Sequence, residues 1–159
     1  MKTIRRVFVV IALLAINGAI SASAQDFIIN GSHYTPALDL FAARLYNEDD
    51  VKLSDNEIEG LEQYGFDYKK WSDIKRNWMV SNYTIASGTL VLASGSYIRY
   101  HLEKPYLGLG LQLAGWGIIF SSQYFQYKIG KKLSNWVDSY NANTALGFTP
   151  NGFGLTYKF

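Results

Sequence analysis

The chain has no cysteine. That excludes a disulfide scaffold, a thiolate nucleophile and a cysteine-built zinc site. Histidine occurs only at His33 and His101, in different parts of the chain, and each reads as a surface residue. The G-x-S-x-G, Walker A and H-E-x-x-H patterns are all absent. Charge of one sign is also lacking. Lys2, Arg5 and Arg6 lie in the first 24 residues with no acid; the remainder holds twelve basic and thirteen acidic residues, about −1 net. No basic run is available to grip nucleic acid. The acids Glu48, Asp49 and Asp50 lack the spacing and the glycine of a calcium loop and read as a solvated turn. Asp55, Glu57, Glu59 and Glu62 suit a helix start and an exposed face. Nothing selects a catalytic carboxylate pair, so the chain is expected to be no enzyme and to carry no cofactor.

What is present is aromatic and small. The chain holds 12 Tyr, 9 Phe and 4 Trp, and most of its 14 glycines follow Ser81. Tyr and Trp favour membrane interfaces, and Gly favours close helix contacts. Residues 1–24 read as a secretory signal: a basic start, an apolar run from Val7 to Ile16 and the small stretch Ser21-Ala22-Ser23-Ala24, with cleavage expected after Ala24. That run is short for a membrane anchor. About 135 residues remain, one domain's worth.

Residues 25–80 are polar and charged and are expected to form a small helical module. Phe27-Ile28-Ile29 before Asn30-Gly31 suggests a short strand and turn. Pro36 is placed to open a helix from Ala37 to Tyr46, with Leu38, Phe41 and Leu45 on one face. Ser54 and Glu57 have capping-box form, and Gly65 is placed to end that helix. Asp67 is placed to cap the next, in which Tyr68, Trp71, Ile74 and Trp78 recur at spacings of three and four.

Residues 81–127 are nearly uncharged. Residues 84–98 contain no charge, nor do the 22 residues of 106–127, which have the length of a spanning helix. Between them lie Arg99 to Lys104, and Pro105 can start the second helix. The expectation is an antiparallel transmembrane helical hairpin. Ser81, Gly88 and Gly95 recur every seven residues, as do Gly108 and Gly115; Gly110, Ala114 and Gly117 are spaced by four and three. Gly88, Gly95, Gly108, Gly110, Ala114, Gly115 and Gly117 are therefore the expected helix-packing residues. Replacing Gly110 and Gly117 together by Leu is expected to weaken hairpin closure or oligomerisation. Gln112, deep in the second run, can hydrogen-bond across the pair. Tyr83, Tyr97, Tyr100, Tyr106, Tyr124 and Tyr127 sit near the run ends as an aromatic belt would.

Residues 128–159 form an amphipathic segment and an expected C-terminal β-hairpin. Lys128, Lys131 and Lys132 read first as a solvated helix end and second as contacts for anionic headgroups. Asn151-Gly152 is a strong turn, and Phe153, Leu155, Tyr157 and Phe159 alternate after it. Two other readings stay open: a soluble periplasmic binding module with 84–127 as a buried core around an apolar ligand, and a small outer-membrane β-barrel. The alternation from Leu107 to Leu113 and the terminal Phe159 favour the barrel.

Leu53-Ser54-Asp55-Asn56-Glu57, the glycine-rich run 106–120, Tyr140-Asn141 and the segment from Gly147 to Phe159 together resemble a group of small exported Bacteroidetes envelope proteins of unknown function. That resemblance implies location rather than chemistry. The glycine run also looks like the glycine-zipper hairpins of some outer-membrane stress proteins, although the lipid-anchoring cysteine is missing. The expectation from sequence is a mainly α, non-enzymatic structural or accessory protein of the cell envelope. Its partners would be membrane lipid and either further copies of itself or a larger membrane protein.

Overall fold

The structure is a computed structural model that describes residues 25–39 and 42–145. The leader expected at 1–24 and the β-hairpin expected at 147–159 lie outside the described residues. Three strands come first: β1 (Phe27–Ile29), β2 (Ser32–Leu38) and β3 (Ala43–Tyr46). They pair antiparallel in that order, with Ile29 opposite Ser32 and Leu38 opposite Ala43. Asn30 and Gly31 both have positive φ (51° and 86°), as a two-residue hairpin turn with right-handed twist requires. A short helix α1 (Asp55–Gly60) and a 3₁₀ turn (Leu61–Tyr64) follow. Two long helices complete the described chain: α2 (Tyr68–His101) and α3 (Pro105–Ala145).

The helix expected from Ala37 to Tyr46 is replaced by the second half of β2 and by β3. The apolar period here is two, not three to four: Pro36 and Leu38 are buried on β2, and Ala43 and Leu45 on β3. Asp39 makes the turn. Its N–H donates to the Ala42 carbonyl and its carboxylate accepts from the Ala42 N–H at 2.8 Å. Pro36 lies beyond the reach of β1, so its missing N–H costs no ladder bond on that side. The module at 25–80 is thus a small sheet with one short helix, rather than a helical one.

The local helix signals are realised. Ser54 caps α1 through the Glu57 N–H while the Glu57 carboxylate accepts from the Ser54 N–H at 2.7 Å. Those bonds, the backbone one first, hold the Glu57 carboxyl below its usual range. Its contribution is therefore present at neutral pH and lost as the pH falls through the lowered value. Gly65 ends the 3₁₀ turn at φ 82°, and Asp67 caps α2 by accepting from the Lys70 N–H.

One core holds the sheet against the proximal ends of α2 and α3. Phe27, Leu45, Leu133 and Val137 are fully buried there, together with Phe66, Trp71 and Ile74. The Phe27 ring packs edge-on against Phe66, Trp136 and Tyr140, at centroid distances of 5.3, 4.9 and 5.7 Å. Asn141 fastens β1 to α3: its side-chain oxygen accepts from the Ile28 N–H at 2.9 Å and its NH₂ donates to the Asp26 carbonyl at 2.8 Å. Next to it, the Tyr140 hydroxyl donates to the Tyr64 carbonyl, and burial raises the Tyr140 phenol above its ordinary value. Asn141→Ala strips the Ile28 N–H and the Asp26 carbonyl of this partner. The expected cost is about 1–3 kcal/mol, read as faster amide exchange at Ile28 with the α2–α3 pairing intact. Unchanged exchange there would show that β1 is held by Phe27 and Ile29 alone.

Beyond this head, α2 and α3 continue as a free-standing antiparallel pair. The 34 residues of α2 reach about 50 Å at 1.5 Å per residue. α2 runs unbroken through residue 80 and α3 through residue 127. Among the described residues no helix is long and apolar enough to cross a membrane. The expected helical hairpin is therefore present without the hydropathy expected of its spans.

Candidate functional site

The distal hairpin is the part of the molecule whose construction asks for an explanation. The buried positions of α2 are Trp71, Ile74, Trp78, Ser81, Ile85, Gly88, Leu92 and Gly95, at alternating spacings of three and four. Gly108, Gly115, Ile119, Ser122 and Gln126 form the facing row on α3. This is the seven-residue period of a coiled-coil seam. Near the head the seam is filled by large side chains. Distally Gly, Ser and Gln alternate with Ile85, Leu92 and Ile119, and most of the other large side chains face outward.

The seam glycines set how closely the helices approach. A Cβ on Gly95 would lie 2.7 Å from the Gly108 carbonyl oxygen and 2.8 Å from the Gln112 nitrogen. One on Gly108 would lie 2.5 Å from the Arg99 Cβ and 2.6 Å from the Gly95 carbonyl oxygen. One on Gly115 would lie 2.7 Å from the Leu92 nitrogen. Gly88 faces Ile118, Ile119 and the Gly115 carbonyl. Four of the seven expected packing residues are thus brought together. The other three are not: Gly110 and Gly117 have open space where a Cβ would go, and Ala114 is exposed. They form a stripe on the outer face of α3, because residues two positions apart on a helix lie on nearly opposite sides. The expectation that Gly110 and Gly117 close the hairpin is corrected accordingly.

Polar rungs cross the seam. The Ser81 hydroxyl donates to the Ser122 carbonyl at 3.0 Å. Gln126 donates to the Asn82 side-chain oxygen at 2.6 Å. Gln112 donates to the Ser96 hydroxyl at 2.9 Å and accepts from Arg99 at 3.2 Å, so its cross-hairpin role is realised. The Asn82–Gln126 and Ser81–Ser122 rungs were not read from the sequence. Their one signal was Ser122, seven residues beyond Gly115 in the row begun by Gly108.

The outer face is apolar and exposed. Leu90 is 70% exposed, Leu113 64%, Phe120 61% and Tyr106 90%. Tyr83, Tyr124 and Tyr127 lie at the head end of the uncharged stretch, and Tyr97, Tyr100 and Tyr106 at its tip; all six are exposed. Serine and threonine interrupt this face, but their hydroxyls turn back onto the helix. Thr84, Ser87, Thr89, Ser94 and Ser96 each donate to the carbonyl four residues earlier, at 2.9–3.1 Å. These donors need no water. Many of the large side chains of residues 84–127 thus face outward rather than into a core.

The remaining candidates serve local structure. Asn47 nucleates the acidic turn by accepting from the Asp49 and Val51 N–H groups, and Glu48 accepts from the His33 N–H. His33 lies in the head, 3.8 Å from Asp26, while His101 stacks on Tyr97 at the hairpin tip. No group of three or more His, Asp or Glu among the described residues is placed to hold a metal ion. The chain matches no protein-family model, no curated protein and no solved structure.

Proposed function

We propose that the protein is a non-enzymatic structural or accessory component of a bacterial envelope. It would be exported by its leader, like the group it resembles, and anchored by pushing the distal hairpin into the apolar layer of a membrane. The observation that carries this reading is the packing of that hairpin, with glycines and polar rungs beside Ile85, Leu92 and Ile119 between the helices and most of its Leu, Phe and Tyr side chains outside. In water such a pair has little apolar drive to close and leaves its large side chains wet. In lipid, close backbone packing is what holds helices together, and an apolar exterior is needed. An apolar face of a larger envelope protein is the second reading, favoured by the low hydropathy of each helix.

The test is flotation of the detergent-purified full mature chain with phosphatidylcholine vesicles, followed by carbonate washing. The wild type is expected to float and to resist the wash. Leu90→Lys with Leu113→Lys places two charges on the outer face and leaves the seam untouched. At about 2.5–3.5 kcal/mol for each charge near the apolar centre, that variant is expected to stay in the soluble fraction. A wild-type chain that remains monomeric and soluble without vesicles would overturn the membrane reading. One that floats only with a co-purified protein would select the second.

A further inference from the structure

Where the hairpin leaves the head, two grooves adjoin on one side of the helix pair. The groove nearer the head, about 470 Å³, is lined by Lys70, Lys128, Lys131 and Lys132 with Trp136. The one nearer the tip, about 440 Å³, shares Lys128 and Lys132; Val80, Thr84, Phe125 and Ile129 line it together with Asn77, Ser81 and Ser122. No carboxylate lines either groove. The ion pairs of lysine and arginine among the described residues are Arg44–Asp39, Lys75–Asp55 and Arg76–Asp73, so none of the four groove lysines is neutralised. Two of them lie over rings instead, Lys70 4.8 Å from the Trp136 centroid and Lys128 4.7 Å from that of Tyr124. A chain whose mature part carries almost no net charge thus gathers four unpaired ammonium groups at one level, directly above an apolar channel.

We propose that this double groove seats one phosphate-bearing membrane lipid. Its phosphate would lie among Lys70, Lys128, Lys131 and Lys132, and an acyl chain would run along Val80, Phe125 and Ile129 toward the tip. The inference rests on the membrane reading above, which fixes which end of the groove faces the headgroups. Charge complementarity selects the anionic head, and the polarity gradient along the groove matches the long axis of a lipid. Each lysine at a membrane surface strengthens attachment to anionic lipid about fivefold.

The experiment compares partition of the full mature chain between phosphatidylcholine vesicles with and without phosphatidylglycerol, at one ionic strength. The wild type is expected to prefer the anionic vesicles. Replacing Lys128, Lys131 and Lys132 by Gln should reduce that preference about a hundredfold and leave binding to neutral vesicles unchanged. Thr84→Trp fills the groove with the lysines intact and is expected to reduce the preference as well. Binding of the wild type to both vesicles without preference overturns the lipid site alone, as does a preference that survives the triple substitution. A preference that survives Thr84→Trp assigns the lysines to diffuse surface attraction and overturns the seat. Failure to bind either vesicle overturns the membrane reading and the lipid site with it.

Discussion

Gly95→Ala combined with Gly115→Ala is expected to push the two long helices apart and to destabilise the hairpin by about 2–5 kcal/mol. The atoms each new methyl meets are backbone and Cβ atoms of the opposite helix, at 2.7–2.9 Å. No side-chain rotation relieves such a contact, so the helices must separate. Both substitutions force the same separation, and the second should therefore cost less than the first. The absence of cysteine makes the measurement clean: spin labels on cysteines introduced at the outward-facing Ser94 and Ala114 report the separation directly. Urea unfolding followed by circular dichroism reports the cost. Gly110→Leu with Gly117→Leu is the control, since both positions open outward. It should leave the label distance unchanged. An unchanged distance in the Gly95/Gly115 variant would mean that the seam is not closed by backbone contact.

The second large effect is expected in the head. Phe27→Ala removes a fully buried ring that three other aromatic side chains hold edge-on. A loss of about 3–5 kcal/mol is expected from the cavity and the lost transfer energy. Strand β1 has only three residues, and Phe27 and Ile29 are its two buried side chains. Its pairing with β2 should therefore be lost along with the ring. Tryptophan fluorescence during urea unfolding is the readout, because Trp71 and Trp136 border the same core. An unfolding free energy within about 1 kcal/mol of wild type would show that the head closes without its first strand.

Much of this architecture was legible in the chain because it rests on short-range chemistry. The Asn30-Gly31 turn, the Ser54–Glu57 capping box, the Gly65 stop and the Asp67 cap each depend on residues within four positions of one another. The seven-residue recurrence of Ser81, Gly88 and Gly95 likewise named the seam, since that period keeps one face toward a partner. The stripe of Gly110, Ala114 and Gly117 has the same spacing statistics, and only the opposite helix decides which stripe it covers. Residues 37–46 misled for a different reason. Leu38 and Leu45 fit a helical period when paired with Phe41, and the competing period of two appears only once Asp39 is seen to turn the chain. The Asn141 fastening and the gathering of Lys70 with Lys128, Lys131 and Lys132 join residues tens of positions apart, which no local pattern carries.

The fastening of β1 by Asn141 has a consequence for the order of events during folding. Its two bonds join residues 113 and 115 positions apart, so they span nearly the whole described chain. Closing so long a loop is entropically unfavourable until something else has shortened it. The α2–α3 pair does that, because folding back at residues 102–104 returns α3 to the base of the head. The bonds that fasten the first strand to α3 therefore wait for almost the last turn of the last helix. In that respect Asn141 acts as a latch that shuts only on a completed hairpin.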